Sequence, residues 1–322
     1  MFPTLAILSA LTTVALAQSP SSAAANATST ANPLIPTTLA PSCVAFLQTL
    51  NTDTTLATCL KAVSDATSAF QPGSTTTPSS ANVNSALSSL CSDSVNSACP
   101  QPFIRSKIAD FYSACADDIQ KKVPEVITPY DVLYTLTPLR QSICSKDDSG
   151  TYCVMAAPTT SREADQEPAT GASDSLTLAQ MLGLLYTNNG AALKRRAPAT
   201  AILPNMTTYH DSNLPFLFNK PEMDATTLCT SCTRQILTAY INFESNIPYA
   251  PGLGASQLLD TQTDLYNAIK DKCPAGFMSQ AVQAAGGLSG GILPSGAVPA
   301  VNAEFKVFTA FAMGVASLVY AL

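Results

Sequence analysis

The chain has a single histidine, His210, and no tryptophan. With one imidazole, any Ser-His-Asp chemistry would have to use His210 as its base. A His-containing zinc site would have to draw its remaining ligands from the cysteines. The missing tryptophans count against a glycoside hydrolase, whose clefts normally present aromatic platforms. Charge is scarce as well: Asp, Glu, Lys and Arg make up 12% of 322 residues, about half the usual share. The net charge is -6 and the basic residues are scattered apart from one run, so no basic face is available for a phosphate backbone and nucleic acid is not an expected partner. No run alternates apolar and polar residues with period two, which leaves strand signals weak.

Ser, Thr, Ala and Pro fill the space left by charge, a composition that suits O-glycosylated surface and wall proteins. The N-terminus carries an apolar run from Leu5 to Leu16 that closes on Ala15-Leu16-Ala17 before Gln18, the pattern of a cleaved signal peptide over residues 1–17. At the other end, Val307–Leu322 is apolar to the last residue. Ser295-Gly296-Ala297 supplies small residues, Val298–Lys306 a spacer and Val307–Leu322 a tail, the arrangement of a glycosylphosphatidylinositol (GPI) attachment signal over residues 296–322. Ser289-Gly290-Gly291 is a second attachment candidate beside Ser295. The expected location is the extracellular face of the plasma membrane or the cell wall.

Ten cysteines stand at Cys43, Cys59, Cys91, Cys99, Cys115, Cys144, Cys153, Cys229, Cys232 and Cys273. An even number in an oxidising compartment predicts five disulfides of unspecified connectivity. Parity adds a constraint. Seven cysteines end at Cys153 and three follow from Cys229, so complete pairing requires at least one bridge across the intervening stretch. The two halves should then form one covalently closed unit.

Residues 18–42, with the sequon at Asn26, read as a disordered glycosylated stalk. The Cys-rich body is expected over 43–275 and a small-residue tether over 276–295. Helical periodicity places Cys43, Phe46, Leu47 and Leu50 on one face, and Leu56, Cys59, Leu60, Val63 and Phe70 on another. The clearest helix starts near Pro102 and carries Ile104, Ile108, Phe111, Cys115 and Ile119. The next carries Val132, Leu136, Leu139 and Ile143, with Pro138 expected to end or kink it. Residues 154–228 read as a long surface excursion with an apolar stretch at Leu176–Tyr186, a sequon at Asn205 and the tribasic run Lys194-Arg195-Arg196. That run is a candidate for cutting by dibasic-cleaving secretory proteases. Beyond it, Asp224 is a plausible N-cap, Cys229, Cys232, Ile236 and Tyr240 form a stripe, and Ser256 should cap a last helix with Leu258, Leu259, Leu265 and Ile269 facing inward. The expected fold is an all-α, disulfide-stapled helical bundle with a stalk, a long internal loop and a tether.

Three features carry a resemblance: Cys43-x-x-Phe46-Leu47, the block Cys144-Ser-Lys-Asp-Asp-Ser-Gly-Thr-Tyr-Cys153, and Cys229-x-x-Cys232 opening a helix. Together they resemble an uncharacterised family of fungal secreted, often GPI-anchored proteins catalogued as a domain of unknown function, over about residues 43–275. The resemblance implies a fungal surface location and a helical Cys-rich domain, and no activity.

The remaining motifs favour structural readings. Gly287-Leu-Ser289-Gly-Gly291 matches a nucleophile elbow as a string but lacks the strand and helix that the elbow needs. Cys229-x-x-Cys232 lacks the strand of a redox motif, so two structural half-cystines on one helix face are expected. Asp147-Asp148 reads as a capped turn, without the spacing of a calcium loop. Asp117-Asp118 reads as a solvated helix face, and His210 as a surface-loop residue. No catalytic, cofactor or metal residues are assigned. The leading expectation is a non-enzymatic surface protein that meets the membrane through its anchor and wall polysaccharide, protein or lipid through its body. A lipid- or sterol-binding module, which would need an apolar cavity between the helices, comes second. A carboxylate-based wall hydrolase, which would need two carboxylates facing each other across a cleft, comes third.

Overall fold

The computed structural model describes residues 35–70, 79–155, 185–188 and 202–279. The signal and tail segments, Asn26, Lys194-Arg195-Arg196, Ser289, Ser295 and the Gly287–Gly291 string lie outside them.

The first half is a run of short amphipathic helices stapled to one another. Helix α1 (Pro41–Leu50) turns Cys43, Leu47 and Leu50 inward, and α2 (Thr54–Ala66) turns Leu56, Cys59 and Val63 inward. The body begins slightly before the expected Cys43, because Leu39 is already buried. Asp53 starts α2 by accepting from the Thr55 and Leu56 amides, both at 2.9 Å. It also meets Lys107 at 2.7 Å. Partial burial pushes the Asp53 carboxyl up, but the Lys107 bond and the two amides outweigh it and hold the group below its ordinary range. Asp53→Ala is expected to cost about 1 kcal/mol in a urea titration, with Asp53→Asn costing less because Asn keeps the cap.

Helices α3 (Ser80–Leu90), α4 (Asp93–Ala98) and α5 (Gln101–Gln120) follow. Ile104, Ile108, Phe111, Cys115 and Ile119 line the buried face of α5 as the periodicity predicts, with a local kink at Cys115. Asp118 departs from expectation. It is buried rather than solvated, and its Oδ2 accepts from the Ala40 amide at 3.0 Å, which fixes the entry to α1.

Helix α6 (Pro124–Cys144) is the centre of the molecule, with every residue from Tyr130 to Arg140 buried. A helix buried all round belongs inside a bundle, and α6 packs against α5 and α3. It continues through Pro129 and Pro138. The expected break at Pro138 does not occur: a proline costs a helix about 3 kcal/mol, and the burial of eleven consecutive residues outweighs that. Arg140 reaches from α6 to the Leu90 carbonyl at 3.4 Å and to Asn96 Oδ1 at 2.5 Å. Its cation therefore sits at the C-terminal, electronegative end of α3.

The second half has a small antiparallel ladder, β1 (Tyr186–Asn188) with β2 (Ile202–Pro204). Three-residue strands are too short to show alternation in sequence, and they leave the fold class all-α. Tyr186, the last residue of the apolar stretch Leu176–Tyr186, belongs to β1. Helices α7 (Met206–Ser212), α8 (Ala225–Leu228), α9 (Ser231–Asn246) and α10 (Gln262–Lys272) follow. Helix α9 packs on α6 from the second half. Asp224 caps α8 as expected, whereas Thr230 starts α9 separately. Ser256 Oγ accepts from the Leu258 and Leu259 amides and so caps a turn, while Thr261 occupies the start of α10.

The later part of the expected surface excursion belongs to the core. Tyr209, Leu214, Phe216, Leu217, Phe218 and Leu228 are all buried. Leu217 and Phe218 both have positive φ, at 52° and 65°. Bulky residues adopt such angles only when their surroundings enforce them. Here Asn213 and Asn219 close the knot: Asn213 Nδ2 donates to the Asn219 carbonyl, and Asn219 Nδ2 donates to the Phe216 carbonyl at 2.8 Å. The Tyr240 hydroxyl ties the knot to α9 through the Pro215 carbonyl at 2.7 Å.

All ten cysteines are bonded: Cys43–Cys115, Cys59–Cys99, Cys91–Cys144, Cys153–Cys232 and Cys229–Cys273. The parity constraint is met by one bridge, Cys153–Cys232. Cys229 and Cys232 take different partners, which removes the redox-pair and zinc readings and leaves two structural half-cystines; they do not share one helix face as expected, because Cys229 ends α8 and Cys232 lies in α9.

Candidate functional site

The main concentration of buried polar chemistry lies where α6 meets the segment after α9. Asp131 is completely buried on α6. Its Oδ1 accepts from the Tyr249 hydroxyl and its Oδ2 from the Gln257 amide at 2.7 Å. Burial pushes this carboxyl up to about 6, against the downward pull of those donors. Around it stand Tyr130, Tyr134 and Tyr249, with ring centres 5.3 Å apart for Tyr130–Tyr249 and 5.0 Å for Tyr134–Tyr249, both edge-on. Phe243 meets Tyr134 edge-on at 5.1 Å. The Tyr134 hydroxyl donates to the Ile247 carbonyl at 2.6 Å. Glu244, half-buried on α9, receives both its hydrogen bonds from Gln262 Nε2, at 2.8 and 2.9 Å, and burial pushes its carboxyl up. Both oxygens of each carboxylate are engaged by the protein itself. The arrangement fastens a loop to a bundle.

His210 is helical rather than in a loop, in the last turn of α7. Nδ1 faces Asp211 at 2.9 Å and Nε2 faces Asp260 at 3.2 Å. With carboxylates at both nitrogens, no position is left to take a serine proton. The hydrogen bond to Asp211 raises its pKa; partial burial opposes this and Asp260 reinforces it, so the ring is held above its ordinary value.

Asp147 forms the expected capped turn, accepting from the Ser149 amide, the Ser149 hydroxyl and the Thr151 amide. Asn205 caps α7, its Oδ1 accepting from the Thr208 amide at 3.3 Å. N-glycosylation modifies the amide nitrogen and leaves that oxygen in place, so the sequon and the cap are chemically compatible. Between α6 and α9 lies a shallow, open groove lined by Gln141, Ser145, Arg234, Gln235, Thr238 and Asn242. Its lining, which includes Ala239, mixes polar and apolar surface, and Gln235 is already bonded to the Lys146 carbonyl at 2.6 Å. Among the described residues no cluster of three or more His, Cys, Asp and Glu is placed to hold a metal.

Comparison with known families divides the chain. Residues 25–170 match a family described as a domain of unknown function (DUF7729). No curated protein and no solved structure matches the chain. The DUF7729 match contains Cys43-x-x-Phe46-Leu47 and the Cys144–Cys153 block, whereas Cys229-x-x-Cys232 falls beyond it. Three of the five bridges close inside the matched stretch and Cys229–Cys273 closes outside it. Cys153–Cys232 joins the two. Asp131 lies in the DUF7729 stretch and its partners Tyr249 and Gln257 lie outside it, so the carboxylate cluster is made by both.

Sequence reasoning missed Asp131, Glu244 and the Asn213–Asn219 knot. For Asp131 a signal existed: it is the one acidic residue between Glu125 and Cys144, in a run whose only other charged residue is Arg140. For the knot, the signal was the apolar run Leu214-Pro-Phe-Leu-Phe218 enclosed by two asparagines.

Proposed function

We propose that this chain is a non-enzymatic, GPI-anchored protein of the cell surface or cell wall with a structural or interaction role. The observation that carries this reading is the bridge pattern: all ten cysteines are spent on joining one element to another. Such a framework fits an oxidising, extracellular compartment. Among the described residues no helix is long and apolar enough to cross a membrane; attachment in this reading rests on the terminal signal read from sequence. The fungal origin rests on the resemblance alone.

The lipid- or sterol-binding alternative draws less support. The centre of the bundle, where such a ligand would sit, is occupied by Phe111, Tyr130, Tyr134 and Phe243. A wall hydrolase draws less still, since Asp131 is closed off from solvent and Glu244 is bound by Gln262.

The anchor is tested by treating intact expressing cells with phosphatidylinositol-specific phospholipase C. Release of the protein into the medium is expected, as is secretion without treatment when residues 307–322 are deleted. Protein that stays in the membrane fraction under both conditions refutes the anchor.

A further inference from the structure

The segment Ile247–Gln262 crosses the tyrosine cluster with Leu258 and Leu259 buried in the core and little regular backbone structure of its own. The backbone hydrogen bonds within it are single turns, such as Gly252 to Tyr249 at 2.9 Å and Ala255 to Gly252 at 2.8 Å. It contains Pro248, Pro251, Gly252 and Gly254, and Gly252 uses a positive φ of 81°. Side chains of other elements hold it down, and most of those attachments end on a titratable group. Tyr249 and the Gln257 amide end on Asp131 of α6. Asp260 ends on His210 of α7 at 3.2 Å, and its Oδ1 is buried without a hydrogen-bond partner. Gln262 ends on Glu244 of α9 at 2.8 Å. Three further contacts, from Tyr134 to the Ile247 carbonyl, from Thr128 to the Gln257 side chain at 3.4 Å and from Thr261 to Asn213, involve no group that titrates near neutrality.

We propose that Ile247–Gln262 is a proton-controlled strap, closed over the tyrosine cluster in mildly acidic medium and opening as the medium turns alkaline.

The groups facing each control residue support one direction. Asp131 faces Tyr249 and Tyr130, and Glu244 faces Tyr134 and Tyr240. None of these tyrosines is a cation that would favour a buried carboxylate. His210 faces Asp211 and Asp260, which both favour its protonated form. Burial raises Asp131 and Glu244, and the carboxylates raise His210. The sign is the same for all three. A group whose pKa is raised in the closed state stabilises that state fully below its free value and loses the contribution as pH rises through the closed value. For Asp131 the loss runs from its free value near 4 to about 6; for His210 it begins at about 6.5 and continues above it. Opening removes the burial and the partners together. An Asp131 shift of about two pH units alone corresponds to a change of about a hundredfold in the opening equilibrium.

Hydrogen exchange of the intact secreted protein at pH 4.5, 6 and 8, corrected for intrinsic amide rates, reads this directly. Protection across residues 247–262 is expected to fall roughly tenfold to a hundredfold between pH 4.5 and 8, while Ile104–Phe111 in α5 holds steady. Asp131→Asn should remove most of that slope. His210→Gln and Glu244→Gln should each remove part, and they serve as the test if Asp131→Asn does not fold. A strap whose protection is unchanged with pH, or falls only in step with α5, overturns the proposal. So does a wild-type slope retained in all the variants that fold.

Discussion

Replacing Cys153 and Cys232 together with alanine is expected to destabilise the protein by about 2–5 kcal/mol. The bridge spans 79 residues of sequence, and in the chain-entropy account a loop of that size strongly restricts the unfolded ensemble. It is also the one bond between the seven cysteines ending at Cys153 and the three beginning at Cys229. Two readouts check it. The urea midpoint should fall. After cleavage at Lys194-Arg195-Arg196, or by an added protease acting between Cys153 and Cys229, the wild-type halves should migrate together on a denaturing non-reducing gel and the double variant should separate. Halves that stay together in the double variant would mean that another cross-half bridge forms, contradicting the Cys153–Cys232 pairing.

The second large effect is expected at Phe111. Its side chain is fully buried on α5, with its ring 5.1 Å from Phe46 of α1 and 5.3 Å edge-on from Tyr130 of α6. Three helices therefore meet on one ring. Truncation to alanine removes the apolar area and leaves a void that the stapled helices collapse into only partly, since Cys43–Cys115 holds α1 and α5 in place. The expected loss is about 3–5 kcal/mol, against roughly 1 kcal/mol for Phe111→Leu, both measured as shifts in the urea midpoint at constant slope. A loss under about 1 kcal/mol for the alanine variant would show that the α1–α5–α6 junction is not a core contact.

Much of the secondary structure was legible in the residues. The stripe Ile104, Ile108, Phe111, Cys115, Ile119 can only be one face of a helix, and it is the buried face of α5. Cysteine parity required a bridge across residues 154–228, because an odd number on each side cannot close alone. Asp147 and Asp224 behaved as local chemistry dictates, since an Asx turn and an N-cap depend on neighbours two to four positions away.

The misses share one cause. At Pro138 local propensity was outweighed by the burial of a whole helix, which no local window measures. Asp118 is acidic and so read as solvated, and Asp131 drew no reading at all, yet each is held by a partner far along the chain, Ala40 for one and Tyr249 for the other. Asn213–Asn219 fell within the expected surface excursion, a stretch of polar and Pro-containing segments, but its apolar residues fill the core from an irregular backbone.

By itself, then, the sequence determined what is local or countable: the helical faces, the capped turns, the oxidised cysteines and the need for one bridge between halves. Tertiary structure alone decided which cysteines pair, which carboxylates are buried, and that Ile247–Gln262 lies over α6 fastened by Asp131, Glu244 and His210. Those outcomes depend on contacts between residues 18 to 126 positions apart, where the free energy of a charge is set by what covers it and not by its neighbours in the chain.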